Sequence, residues 1–260
     1  MSVTVTSILS LVFWGNLIIV FVYIISRIPS VFNRMNCHFM IWLLCITFLR
    51  FLFPGEFKYS ISIRISHTFQ EIMIFVYRHP ISILGYSIYI YQILLVVWLS
   101  VAFILLMRII RKYMRFHSSV KQLLHSHQTA SIEKPQDCDF PKSVQLYESS
   151  LISAPLITGL FKPVIIMPVL SLSPQELSFV VRHELQHYKY RDLLLKLFME
   201  LFCILYWWNP VMHLLKKQLL LLLEMRADTE VYEPLSNTEK IDYLGCLKKL
   251  FSCQSKDSLF

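Results

Sequence analysis

The sequence predicts a mainly α membrane protein: three transmembrane helices, then a cytosolic α+β domain with a small β-sheet. Three observations lead there. Of the 260 residues, 55% are hydrophobic and only 16% charged, whereas a water-soluble globule carries about a quarter charged residues. The charge deficit is gathered into long apolar runs. The basic residues behind the net charge of +8 cluster where those runs end, which fits membrane topology better than a phosphate-binding face. No direct nucleic-acid binding is therefore expected.

Residues 1–26, "MSVTVTSILSLVFWGNLIIVFVYIIS", hold no charged side chain, and about 20 such residues cross the hydrocarbon core. A cleaved signal peptide would start basic and have a shorter apolar run. Here Arg27 and Arg34 come after the run, so it reads as a retained span that begins outside. The second run, residues 35–53, is shorter and holds Arg50, which can snorkel toward the interface. Pro54-Gly55 breaks it. Residues 54–80 mix charges with aromatic and aliphatic side chains and read as an outer loop with room for an interfacial helix. The third run, residues 81–107, is charge-free and ends in "RIIRKYMRFH". The positive-inside rule places that end, and the chain beyond it, in the cytosol. Residues 1–110 thus form the membrane region, with the N-terminus outside.

Residues 111–142 are polar, contain Pro135 and read as a connector to a cytosolic domain over 143–260. There "SVQLYESSLISAPLITGLFKPVIIMP" alternates short β-branched runs with turn residues, the pattern of a small sheet. Val164, Ile165, Ile166 and Met167 are expected to form an edge strand, because Pro163 and Pro168 bracket them. Such an edge could hydrogen-bond an extended substrate. Six cysteines are scattered without a C-x-x-C pair and none falls in the outer loop, so reduced thiols are expected.

The stretch "SLSPQELSFVVRHELQH" predicts a helix. Ser173 can cap it, Pro174 suits its first position, and Glu176 completes a capping box. No proline or glycine interrupts the run to Arg191. His183 and His187, four apart, therefore share one face, which is what one zinc ion needs from two imidazoles. Glu184, beside the first histidine, is placed to act as general base. Catalytic zinc needs a third protein ligand and an open position. The downstream candidates weighed for it are the acids Glu200, Glu224, Asp228, Glu230 and Glu233. Glu224 and Asp228 share a helical face, so one could bind metal while the other orients a histidine through its second nitrogen. Glu200 lies in an apolar run where Lys196 could pair with it. Tyr188, His213 and Arg226 are the candidates for steadying the oxyanion.

Residues 193–223 are apolar enough to suggest a fourth span. A crossing there would put His187 and Glu224 about 30 Å apart, beyond the reach of any single ion. Asn209-Pro210 offers a helix stop and restart instead, and Trp207 and Trp208 at that bend suit a headgroup interface. The expectation is a cytosolic domain pressed against the inner leaflet.

Taken in order, "ITGLFKPVIIMP", "RHELQHYKYRD", "WWNP" and "EMRAD" resemble the integral-membrane metallopeptidases of the BlaR/MecR antirepressor family. The resemblance covers roughly residues 1–235. It implies a gluzincin-like metallopeptidase domain with one zinc held by His183, His187 and Glu224, catalysis by Glu184, and Asp228 as the supporting carboxylate. It further implies a bacterial cell membrane and a cytosolic repressor-type protein as substrate, with self-cleavage as a variant. No penicillin-binding sensor domain comes after Phe260, so β-lactam sensing by the usual route is not expected. The signal would enter through the outer loop, the spans, a homodimer or a sensor partner. Two other readings remain. One is a non-catalytic membrane receptor or immunity-type protein with a structural zinc site; Cys138 as an inhibitory thiolate in the fourth position would reconcile it with the catalytic reading. The other is a membrane peptidase of the Ste24/HtpX type.

Overall fold

The computed structural model describes residues 5–28, 36–52, 67–78, 80–83, 86–135, 140–141, 143–160 and 162–257. It is mainly helical, with a four-stranded mixed sheet and a second, two-stranded sheet. The chain forms two compact units. One comprises Met1–Lys112 with Leu201–Lys216, the other Tyr113–Glu200 with Lys217–Phe260.

In the first unit, α1 (Val5–Ser26) packs on α2 (Cys37–Leu52). Leu11, Ile19 and Val22 of α1 and Met40, Leu44 and Phe51 of α2 are buried. Gly15 permits the close approach, since a Cβ there would overlap the Phe51 ring. An amphipathic helix α3 (His67–Arg78) falls where the outer loop was expected. The third span departs from expectation at both ends. Within residues 80–83 and 86–89, β1 (Pro80–Ile83) and β2 (Tyr86–Tyr89) pair antiparallel, because their alternating β-branched and aromatic residues favour strands. Helix α4 then runs from Ile90 to Leu124, through the basic stretch and into the expected connector, with no proline or glycine to stop it. Among the described residues α4 is the one helix long and apolar enough to cross a membrane, and α1 and α2 contribute shorter apolar stretches. The 201–216 segment is tied into this unit by three bonds: Tyr206 Oη donates to the Phe51 carbonyl (3.0 Å), Asn209 Nδ2 to Asn16 Oδ1 (2.9 Å), and Trp98 Nε1 to the Leu205 carbonyl (3.1 Å).

In the second unit β3 (Thr129–Ser131), β4 (Gln145–Ser149), β5 (Leu156–Thr158) and β6 (Val164–Pro168) form a sheet of order β3-β4-β6-β5. β6 pairs parallel with β4 (Leu146 opposite Ile165) and antiparallel with β5 (Ile157 opposite Ile165). This corrects the edge-strand expectation: Val164, Ile165, Ile166 and Met167 lie in an interior strand, and β5 and β3 are the edges. The bracketing prolines sit at the strand's ends, where a missing N–H costs no ladder bond. The uninterrupted apolar run "VIIM", buried at Ile165, Ile166 and Met167, is what a strand covered on both faces needs.

Helix α5 (Pro174–Lys189) starts with the expected capping box. Ser173 Oγ accepts from the Glu176 N–H (3.2 Å), and Glu176 Oε2 accepts from the Ser173 N–H (2.7 Å). Its Val180 and Val181 pack on Val144, Leu146, Ile165 and Met167 of the sheet region and on Cys246 of α8 (Asn237–Asp257). A tight turn at Tyr190–Arg191 leads into α6 (Asp192–Leu205). The chain stops and restarts at Asn209-Pro210: Asn209 Oδ1 accepts from the Val211 N–H (3.1 Å), and Pro210 opens α7 (Pro210–Tyr232). A second apolar cluster joins Phe179 of α5, Val231 of α7, Leu235 of the α7–α8 turn and Tyr243 of α8.

Candidate metal centre

Helix α5 presents His183 and His187 on one face, their ring centroids 5.0 Å apart. Helix α7 brings Glu224 to both. Its Oε2 stands 3.6 Å from His183 Nε2 and 3.4 Å from His187 Nε2. These donors, within 4.8 Å of one another, are the one such group among the described residues. A tetrahedral zinc with bonds of about 2.0–2.2 Å requires neighbouring donors about 3.3–3.5 Å apart. The two edges that Glu224 makes with the imidazoles, 3.4 and 3.6 Å, are close to that length, so this donor set suits a single zinc ion.

Each imidazole turns its other nitrogen to a carboxylate. His187 Nδ1 lies 2.8 Å from Asp192 Oδ2, and His183 Nδ1 lies 3.0 Å from Asp228 Oδ1, close but off the hydrogen-bond line. Such partners fix the tautomer that leaves Nε2 free for metal. Asp228 also accepts from Tyr243 Oη (2.9 Å). Asp192 is the residue that sequence reasoning missed. On a continuous helix it would point well away from His187, but the chain turns at Arg191, with φ 58°, and the first turn of α6 swings Asp192 back. The only trace in the sequence is an aspartate soon after the motif.

Burial would lower both imidazoles, but their carboxylate partners outweigh it. Asp228 and Glu224 push His183 up to about 10, and Asp192 and Glu224 raise His187. The same two histidines hold Glu224 far below the usual carboxylate range. Glu184 is 8% exposed, and burial raises its carboxyl, which moves it toward the range of a useful general base. Lys196 Nζ stands 3.2 Å from Glu224 Oε1.

A cavity of about 340 Å³ opens beside these groups, lined by Glu184, His187, Lys196 and Glu224 on one side and by Leu156 and Ile157 of β5 on the other. Of the expected oxyanion partners, Tyr188 lines this cavity with its hydroxyl 3.3 Å from Ser143 Oγ. Arg226 is buried against Asp192 instead. His213 belongs to the first unit, and Cys138 lies outside the described residues.

The profile of the family described as BlaR1 peptidase M56 matches residues 6–258. The regulatory protein BlaR1 of Bacillus licheniformis is 31% identical over 125 residues, 47% of this chain and 21% of that protein. The methicillin resistance mecR1 proteins of Staphylococcus aureus and Staphylococcus epidermidis are each 28% identical over 107 residues, 40% of this chain and 18% of theirs. The matched stretch spans about a fifth of the length of these curated relatives.

Proposed function

The chain belongs to the BlaR1 peptidase M56 family, and from that membership we propose that it is a membrane-bound zinc endopeptidase of signal-induced gene regulation. One observation carries the reading: His183, His187 and Glu224 converge on one point beside a buried Glu184 and an open cavity. Three donors leave a fourth position for substrate or water, as catalytic zinc requires and a closed structural site does not.

Zinc, when bound, would supply Lewis acidity at the scissile carbonyl and make water more acidic. The protein's own residues do the rest. His183 and His187 offer Nε2, held in that tautomer by Asp228 and Asp192. Glu184 takes the proton of the attacking water and passes it to the leaving amine. The free edge of β5 borders the cavity, so an extended peptide pairing with Leu156–Thr158 would run past Glu184. The cavity's apolar wall at Leu156 and Ile157 would receive a side chain.

In this reading α1, α2 and α4 cross the membrane, the N-terminus lies outside, and the peptidase domain is cytosolic. The word "regulatory" in a relative's name supports a part in regulation, and the substrate we propose is a cytosolic repressor-type protein, the chain itself, or both. The test is Glu184→Gln in the full chain, reconstituted in bilayers with a candidate repressor. Cleavage should stop while one zinc per chain is retained, and undiminished cleavage would eliminate the mechanism.

A further inference from the structure

A carboxylate hidden from water is costly unless both oxygens are engaged. Asp192 is 1% exposed. Its Oδ2 faces His187 Nδ1 at 2.8 Å, and its Oδ1 accepts from Arg226 Nη2. Arg226 is itself 5% exposed. Its guanidinium lies 4.1 Å from the centroid of the Tyr190 ring, and Tyr190 Oη donates to Glu230 Oε1 at 2.9 Å. A chain of contacts thus runs Glu230, Tyr190, Arg226, Asp192, His187. The His183 arm is built differently. Its Asp228 side chain is 45% exposed and is held by the neutral Tyr243 hydroxyl, which water could replace.

We propose that Arg226 is a positioning residue of the metal centre, acting through Asp192 to hold His187 in the orientation and tautomer that zinc needs. This rests on the metal-peptidase reading and adds a member that touches neither metal nor substrate. Arginine suits the place. Its planar fork reaches a carboxylate while its face stacks on tyrosine, and lysine offers the charge without the plane. Helix α7 therefore serves the site three times: Glu224 as ligand, Asp228 behind His183, and Arg226 behind His187.

The experiment uses the full chain in detergent micelles. Zinc affinity is measured by competition with a chromophoric chelator, and coordination by the visible spectrum of the cobalt-loaded protein. Arg226→Met should weaken zinc by about 10–100-fold, the range for an outer partner of a metal ligand, and alter the cobalt spectrum. Arg226→Lys should fall between it and wild type. Tyr243→Phe, on the exposed arm, should cost less than Arg226→Met. Because Arg226 acts through Asp192, its substitution should have little further effect on zinc in an Asp192→Asn background. If Arg226→Met is too unstable to purify, Arg226→Lys is carried through the same cycle. Wild-type zinc affinity in the Arg226 variants would overturn the proposal and leave the metal centre standing. So would an equal loss with and without Asp192, which would mark Arg226 as packing alone. A wild-type chain that takes up no zinc would overturn both.

Discussion

Glu224 Oε2 stands 3.4 Å from His187 Nε2, a meeting of α7 with α5 that no local sequence pattern enforces. The contact has the length of a tetrahedral edge around zinc, so it tests the metal centre directly. Glu224→Gln keeps the shape and removes the charge. Zinc affinity should fall by more than the 10–100-fold expected for an outer partner, since a first ligand is lost. Metal content after dialysis against a weak chelator reads this out, with thermal melting as the control for folding. One zinc per chain at unchanged affinity would mean that Glu224 is no ligand.

Gly159 comes directly after β5 at φ 90°, and a Cβ there would overlap the carbonyl oxygen of Lys162. Only glycine adopts that conformation without strain, and the obstacle is backbone, which cannot step aside. Gly159→Ala should destabilise the second unit by about 1–3 kcal/mol, seen as a lower melting temperature. Because the turn sets the edge facing the cavity, peptidase activity should fall even at temperatures where the variant stays folded. A variant with unaltered melting would contradict the assigned turn.

What could be read from the sequence was local. Ser173, Pro174 and Glu176 announced α5, and the four-residue spacing put His183 and His187 on one face. Asn209-Pro210 announced the break between α6 and α7. What escaped depended on tertiary context. Asp192 reaches His187 only because Arg191 adopts a left-handed conformation without a glycine to signal it. Lys196 of α6 reaches Glu224 on α7, a contact between helices that spacing alone does not give. β6 looked like an edge because of its prolines, while its pairing on both sides depends on β4 and β5. Residues 81–83 and 86–89 passed as membrane span by lacking charge, and composition cannot tell a strand pair from a helix.

Glu176 supplies a pH-dependent share of stability. The Ser173 backbone N–H and the Lys249 ammonium, 3.0 Å away, hold its carboxyl below the ordinary 4.5. A carboxylate with a depressed folded value stabilises fully above its unfolded value and loses that contribution as pH falls through the folded one. The difference in melting temperature between wild type and Glu176→Gln should therefore be constant above about pH 5 and shrink below pH 4.5. Measuring both chains with zinc chelated separates this from acid loss of metal. A difference that grows on acidification would reverse the assignment.

The α1–α2 packing has Gly15 lying against the buried ring of Phe51. Gly15→Ala adds one methyl group into an occupied volume, and overpacking of this kind costs about 1–3 kcal/mol. Glycine's low helix propensity argues the other way, since alanine is favoured by about 1 kcal/mol in a helix interior. The two effects separate in a double-mutant cycle. Phe51→Ala removes the ring and leaves a cavity, so it should destabilise on its own. In that background Gly15→Ala should become neutral or stabilising, because only the propensity gain remains. Thermal melting of the four chains in one detergent gives the coupling. A Gly15→Ala effect of the same size with and without the ring would show that the two residues do not meet.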